Sequence, residues 1–140
     1  MKAVAKIGPE GFRTEIKAGT ELEHTVIADE PGDKGGANDG PTAMELLSAA
    51  LGACTAATLR SYANLKGIEL EGVEVEVDTV RRKPSEQQAA GEDAKATLVR
   101  KKITIIGDNI TNEQRVRMLE IAEKCPVNRA LVQGVDMEHI

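Results

Sequence analysis

Between Thr42 and Asn64 the only charged residues are Glu45 and Arg60; Ala, Leu, Ser and Thr fill almost every other position. Thr42 followed three residues later by Glu45 forms a capping box, which satisfies the first free N–H groups of a helix. Gly67 supplies the left-handed residue that ends one. The spacing therefore predicts a long helix over 42–65. A helix without a wide polar face must be covered on most sides, so this element is expected at the centre of the molecule. Its small residues, Ala49, Ala50, Gly52, Ala53, Ala56 and Ala57, would allow a second helix to approach closely.

The flanking segments read as strands. Ala3, Ala5 and Ile7 alternate with Lys2, Val4 and Lys6, and Phe12, Thr14 and Ile16 alternate with Arg13, Glu15 and Lys17 across a Gly8-Pro9-Glu10-Gly11 turn. Leu22, His24 and Val26 lead a third run, predicting an antiparallel meander over 2–28. Residues 29–41 form a glycine-, proline- and acid-rich loop, a type of segment that often carries function. Val73, Val75 and Val77 alternate with Glu74, Glu76 and Asp78 in a strand over 70–82. A polar loop over 83–95 follows, then a strand over 96–106 bearing Arg100, Lys101 and Lys102. An acidic strand followed by a basic one suggests a hairpin with cross-strand ion pairs, so these cations are given no catalytic role. Thr111 with Gln114 caps a helix whose apolar face is expected to be Val116, Leu119, Ile121 and Ala122. Cys125-Pro126 interrupts it, and Pro126 suits the first position of a new short helix. Val135–Ile140 read as a last strand. Strands cluster before and after a central helix instead of alternating with helices, which is the α+β class.

Hydrophobic residues make up 41% and charged residues 29% of the 140 residues, the balance of one globular domain over 1–140. Phe12 and Tyr62 are the only aromatic residues, so the core must come from Val, Ile, Leu and Ala, which favours burial between two copies. The net charge of −5 argues against nucleic acid; Arg81-Arg82-Lys83 is a solvated loop end. Met1–Gly8 lacks an apolar stretch of signal-peptide length, and no segment reaches the roughly 20 apolar residues of a membrane helix. A cytoplasmic location is therefore expected, where a static disulfide is uncommon.

Against that background the two cysteines matter. A lone cysteine in an apolar helix is usually packing, and Cys54 fits that reading. Leu47, Ala50, Leu51, Thr58 and Ser61 share its face, which suits a pocket for an apolar substrate and equally an ordinary helix contact. Cys125 lies at or near the N-cap of the helix begun by Pro126, where a thiolate is favoured. There is no CxxC, no ligand spacing that joins His24 and His139 to the cysteines as a zinc site, and Gly35-Gly36 lacks the lysine of a phosphate-binding loop.

The run from Gly40 to Thr55, GPTAMELLSAALGACT, resembles the central-helix motif of the OsmC/Ohr family (osmotically inducible protein C and organic hydroperoxide resistance proteins). The run from Ala122 to Gly134, AEKCPVNRALVQG, resembles its second cysteine motif, and Leu70–Val77 also fits. The resemblance implies an intertwined homodimer of α+β subunits, with antiparallel sheets packed around a long buried central helix. It implies reduction of organic hydroperoxides by a two-cysteine mechanism, Cys54 peroxidatic and Cys125 resolving, with electrons from a dithiol such as a lipoylated protein and with no metal, flavin or other cofactor. The family also uses an arginine from the N-terminal strands to hold the thiolate; Arg13 is the only one there. Arg129, just after Cys125, is a substitute; Arg60 lies about 120° from the Cys54 face. Peroxidase members carry Glu ten residues before the first cysteine. That position is Met44 here, and Glu45 follows it, about 180° around the helix from Cys54 and about 13.5 Å along it. Glu45 is thus either a catalytic carboxylate reaching across the dimer or simply the cap.

The leading expectation is a thiol peroxidase acting through Cys54, Cys125, Arg13 and Glu45. The alternative is a non-enzymatic dimeric stress protein that binds a small apolar or thiol-reactive ligand, which Met44 would favour. A redox protein acting on other proteins would need an exposed cysteine, and a structural dimer would leave both cysteines inert.

Overall fold

The computed structural model describes residues 1–140. The elements are β1 (Ala3–Ile7), β2 (Thr14–Ala18), β3 (His24–Ala28), α1 (Ala43–Lys66), β4 (Gly72–Arg81), α2 (Pro84–Ala89), β5 (Thr97–Ile106), α3 (Asn112–Ala122) and α4 (Pro126–Gln133), with a short 3-10 turn at Gly32–Lys34. This is the α+β order expected, with antiparallel sheets. The chain divides into two compact units, Met1–Leu47 and Ser48–Ile140; the first turn of α1 belongs to the first and the remainder of α1 to the second.

In the first unit, β1, β2 and β3 form an antiparallel meander in that order, with Ala5 opposite Ile16 and Ile16 opposite Val26. The alternation predicted for β2 is present: Thr14, Ile16 and Ala18 are half-buried and Glu15 and Lys17 exposed. β1 is exposed along its whole length. The loop over 29–41 is organised by one side chain. Asp29 is buried, and its carboxylate accepts from the backbone N–H groups of Glu30 at 2.8 Å and of Ala37 and Asp39 at 3.1 Å each. Those three donors hold its pKa below the ordinary carboxylate value, the Asp39 N–H contributing most, against burial and with help from Arg13. Gly36 and Gly40 fit only as glycine: a Cβ would sit 1.8 Å from the Glu30 carbonyl oxygen and 2.3 Å from that of Ile27.

In the second unit, β4 and β5 form a two-stranded antiparallel sheet with Val77 opposite Lys101 and Val73 opposite Ile105. The expected cross-strand ion pairs form: Lys102 meets Glu76 at 3.0 Å, and Arg100 meets Asp78 directly opposite. α1 packs on this sheet through Gly52, where an added Cβ would lie 3.6 Å from Val77, and through a 2.7 Å hydrogen bond between the Ser48 and Thr79 hydroxyls. Leu51, Thr55, Leu59 and Ala63, one residue per turn, are its buried stripe. Leu59 and Ala63 join Leu70, Ile105, Ile110, Met118 and Ala122 in the core. At Gly67 (φ +65°) α1 ends, and the Ile68 N–H reaches back 2.9 Å to the Ala63 carbonyl as in a Schellman cap.

Four expectations need correction. α1 is buried along one stripe in the single chain, not most of the way round; Ala49, Ala50, Ala53 and Ala57 are exposed. The segment over 83–95 is not all loop, because Pro84 at the first helical position and the Glu86 carboxylate on the Lys83 N–H start α2. Residues 134–140 form no strand: their apolar alternation is not hydrogen-bonded to either sheet, and alternation without a paired edge does not make a strand. The buried face of α3 is Met118 and Ala122, while Val116 and Leu119 are exposed. Arg115 sets that phase, donating to the Ile105 carbonyl and, at 2.7 Å, to that of Gly107.

Candidate active site

Cys125 is the best-defined reactive group. The proline that follows it disfavours helical backbone at Cys125, and the residue adopts φ −61°, ψ 141°, the extended conformation of an N-cap. Its side chain, not a hydroxyl or carboxylate, does the capping: the Asn128 N–H donates to Sγ at 3.3 Å. The thiol is fully buried, and its other hydrogen-bonding partner is the Thr55 hydroxyl, 3.6 Å away. Burial raises a thiol's pKa, yet here the Asn128 N–H, the Thr55 hydroxyl, the Cys54 thiol and the positive charge of Lys101 together outweigh it, and the Cys125 pKa lies below the ordinary thiol value.

Cys54 sits half-buried on α1, one residue before Thr55, so Cys125 is packed against the helical turn that carries Cys54. Both cysteines are free thiols with no disulfide between them.

The other expected residues lie as follows. The Glu45 carboxylate accepts from the Thr42 N–H at 2.7 Å, and the Thr42 hydroxyl accepts from the Glu45 N–H at 3.3 Å, completing the capping box. Arg13, in the first unit, pairs with Asp39 at 3.8 Å, both side chains about half exposed. Arg60 donates to the Leu70 carbonyl at 2.7 Å, a structural bond that ties α1 to the connection leading into β4. Arg129 is exposed, and its backbone N–H bonds the Cys125 carbonyl at 3.0 Å. Met44 is 49% exposed. No group of three His, Cys, Asp or Glu side chains is arranged to hold a metal ion, and no helix is long and apolar enough to cross a membrane.

Three neighbours of Cys125 receive no role from sequence reasoning: Thr55 and Asn128, which lie within the two motif runs, and Lys101, which lies outside them. By sequence, Lys101 groups with Arg100 and Lys102 as a cross-strand ion-pair partner with no catalytic role. Its side chain is only 13% exposed, while those of its neighbours are 63% and 75% exposed. The signal is parity: Val99, Lys101, Ile103 and Ile105 share one face of β5, and the other three are apolar.

The fold has close counterparts among solved structures. A candidate osmotic stress induced and detoxification response protein from Psychrobacter arcticus superposes with a TM-score of 0.73 at 19% identity, over 93% of this chain and 87% of that one. An organic hydroperoxide resistance protein OsmC from Legionella pneumophila gives 0.62 at 22% identity, over 97% and 93%. The organic hydroperoxide resistance protein OhrB of Bacillus subtilis gives 0.57 at 19% identity, over 96% and 92%. A search of curated proteins finds no match. The family model described as OsmC-like protein matches residues 35–140, which include both cysteines and every partner of Cys125, and the chain belongs to that family.

Proposed function

We propose that the protein reduces organic hydroperoxides with Cys54 as the attacking thiol and Cys125 as the resolving one. The observation that carries this reading is a buried Cys125 sulfur that accepts the Asn128 N–H and lies against Thr55, on the turn of α1 that bears Cys54. The naming of relatives as organic hydroperoxide resistance proteins supports it. In the first step the Cys54 thiolate attacks the distal peroxide oxygen. The O–O bond breaks, the alkoxide takes a proton and leaves as alcohol, and the sulfur is oxidised to a sulfenic acid. The Cys125 thiolate then attacks the Cys54 sulfur; the S–S bond forms, the S–O bond breaks, and the oxygen leaves as water after gaining a proton. An external dithiol, such as a lipoylated protein, restores both thiols by exchange. Arg13 is the proposed cation for the Cys54 thiolate. Glu45 is assigned to capping, since its carboxylate is already engaged there.

The reading treats residues 1–140 as one OsmC-like domain completed in a homodimer. Val4, Ile7, Phe12, Leu22 and Val26 of the first unit are exposed in the single chain, and so is the small-residue flank of α1. Apolar surface of this kind marks an interface. The test is consumption of cumene hydroperoxide by the reduced protein with dihydrolipoamide. Turnover should vanish in Cys54→Ser and stop after one equivalent in Cys125→Ser. A second reading, a non-enzymatic dimer that binds a small apolar or thiol-reactive ligand, is favoured by Met44 standing where the family's peroxidases carry Glu. Absence of turnover by intact protein with both thiols titratable would favour it over the first.

A further inference from the structure

Lys101 occupies a costly position. It projects from the apolar face of β5, between Val99 and Ile103, and its side chain is 13% exposed. An ammonium withdrawn from water has to be compensated by partners, and Lys101 has two. Nζ donates to Asn128 Oδ1 at 2.8 Å and to Glu123 Oε1 at 2.9 Å. Asn128 is itself buried, and its Nδ2 donates to the Glu123 carbonyl oxygen at 2.9 Å and to Glu123 Oε2 at 3.3 Å. These bonds fix Asn128 from the side-chain end, while its backbone N–H points at the Cys125 sulfur 3.3 Å away.

We propose that Lys101 is a positioning residue for Cys125: through Asn128 it holds the first turn of α4 so that an N–H faces the sulfur. This rests on the two-cysteine reading for its purpose, because a resolving thiol must be a thiolate when the sulfenic acid appears. The groups that face Cys125 are then accounted for from each element packed on it. α1 contributes the Thr55 hydroxyl and the Cys54 thiol, α4 the Asn128 N–H, and β5 the Lys101 ammonium, which is itself paired with Glu123 of the turn between α3 and α4.

The experiment follows the ultraviolet absorbance of the Cys125 thiolate against pH in the full-length Cys54→Ser chain, with the Cys54→Ser/Cys125→Ser chain as the blank. This readout needs no reagent to reach the buried sulfur. Lys101→Gln and Lys101→Met should each move the midpoint upward, and Lys101→Arg should return it toward the native value. The rate of disulfide closure at neutral pH, after one equivalent of hydroperoxide and with Cys54 present, should fall about three- to tenfold in the neutral variants and recover in Lys101→Arg. Two neutral variants are used so that one that fails to fold leaves the other to decide. Unchanged midpoints in the folded neutral variants would overturn the proposal, because a merely structural lysine would alter stability without moving the titration. If the native protein shows no hydroperoxide turnover, the two-cysteine reading fails and the midpoints still decide the role of Lys101.

Discussion

Thr55→Val probes the contact between α1 and Cys125 with little change in shape. Thr55 is fully buried and its hydroxyl lies 3.6 Å from the Cys125 sulfur. Val keeps the branched outline and removes only the hydrogen-bonding group. A hydrogen bond to a charged acceptor contributes about 1.5–3 kcal/mol and a neutral one about 0.5–1.5 kcal/mol. At this separation the lower part of each range applies, so the thiolate should lose about 1 kcal/mol more than the thiol does. The sign with pH follows from linkage. Folding lowers the Cys125 pKa, so the folded chain binds fewer protons at that sulfur than the unfolded chain. The resulting stabilisation is complete above the ordinary thiol range and is lost as pH falls through the folded value. Thr55→Val should therefore cost more stability above the thiol range than at mildly acidic pH, and the Cys125 midpoint should rise. Urea unfolding at the two pH values, at one protein concentration and with a phosphine reductant present, measures the difference. An equal cost at both pH values with an unmoved midpoint would refute the claim that Thr55 stabilises the thiolate.

Two further outcomes test the packing. Leu59→Ala should destabilise the protein by about 3 kcal/mol because Leu59 is fully enclosed in the core of the second unit, whereas Leu65→Ala on the same helix, 80% exposed, should cost less than about 0.5 kcal/mol; chemical denaturation of both variants measures the contrast, and equal effects would contradict the buried stripe of α1. Asp29→Ala removes the acceptor of three loop N–H groups, so limited proteolysis should cut within residues 30–40 well before the native chain is cut; in the native chain the same susceptibility should appear as acid protonates Asp29, since its lowered pKa gives stabilisation that is lost as pH falls through the folded value.

The features of the fold that are legible in the sequence are those set by local rules. The Thr42–Glu45 capping box, the Gly67 stop, the β4–β5 ion pairs and the break at Cys125-Pro126 each follow from a few adjacent residues, and each is present. What is not legible depends on neighbours remote in sequence. The phase of α3 departs from its apolar pattern because Arg115 anchors it to carbonyls of β5 and the loop that follows. The alternation of Val135, Met137 and His139 could not reveal that no strand edge is paired with it. The composition of α1 likewise describes how much apolar surface must be covered, not the stripe that a single chain covers by itself.

Lys101 shows where the two kinds of rule meet. Three consecutive basic residues following an acidic strand suggest cross-strand ion pairs, and for Arg100 and Lys102 that is correct: each pairs with an acid directly opposite on β4 and stays exposed. Strand geometry sends the middle residue of any such triplet to the other face. There the partner opposite is Val77, which offers no compensation, so the ammonium must find its acceptors beyond the sheet. It finds them in Glu123 and Asn128, the residues that flank the Cys125-Pro126 break. A charge that local strand pairing leaves unsatisfied is thereby committed to the junction between α3 and α4, and that junction is where the chain holds its buried thiol. The two-residue alternation of β5 thus contained the location of a cation for the site, and it becomes readable once the inward face of β5 is checked residue by residue for a group that face cannot satisfy.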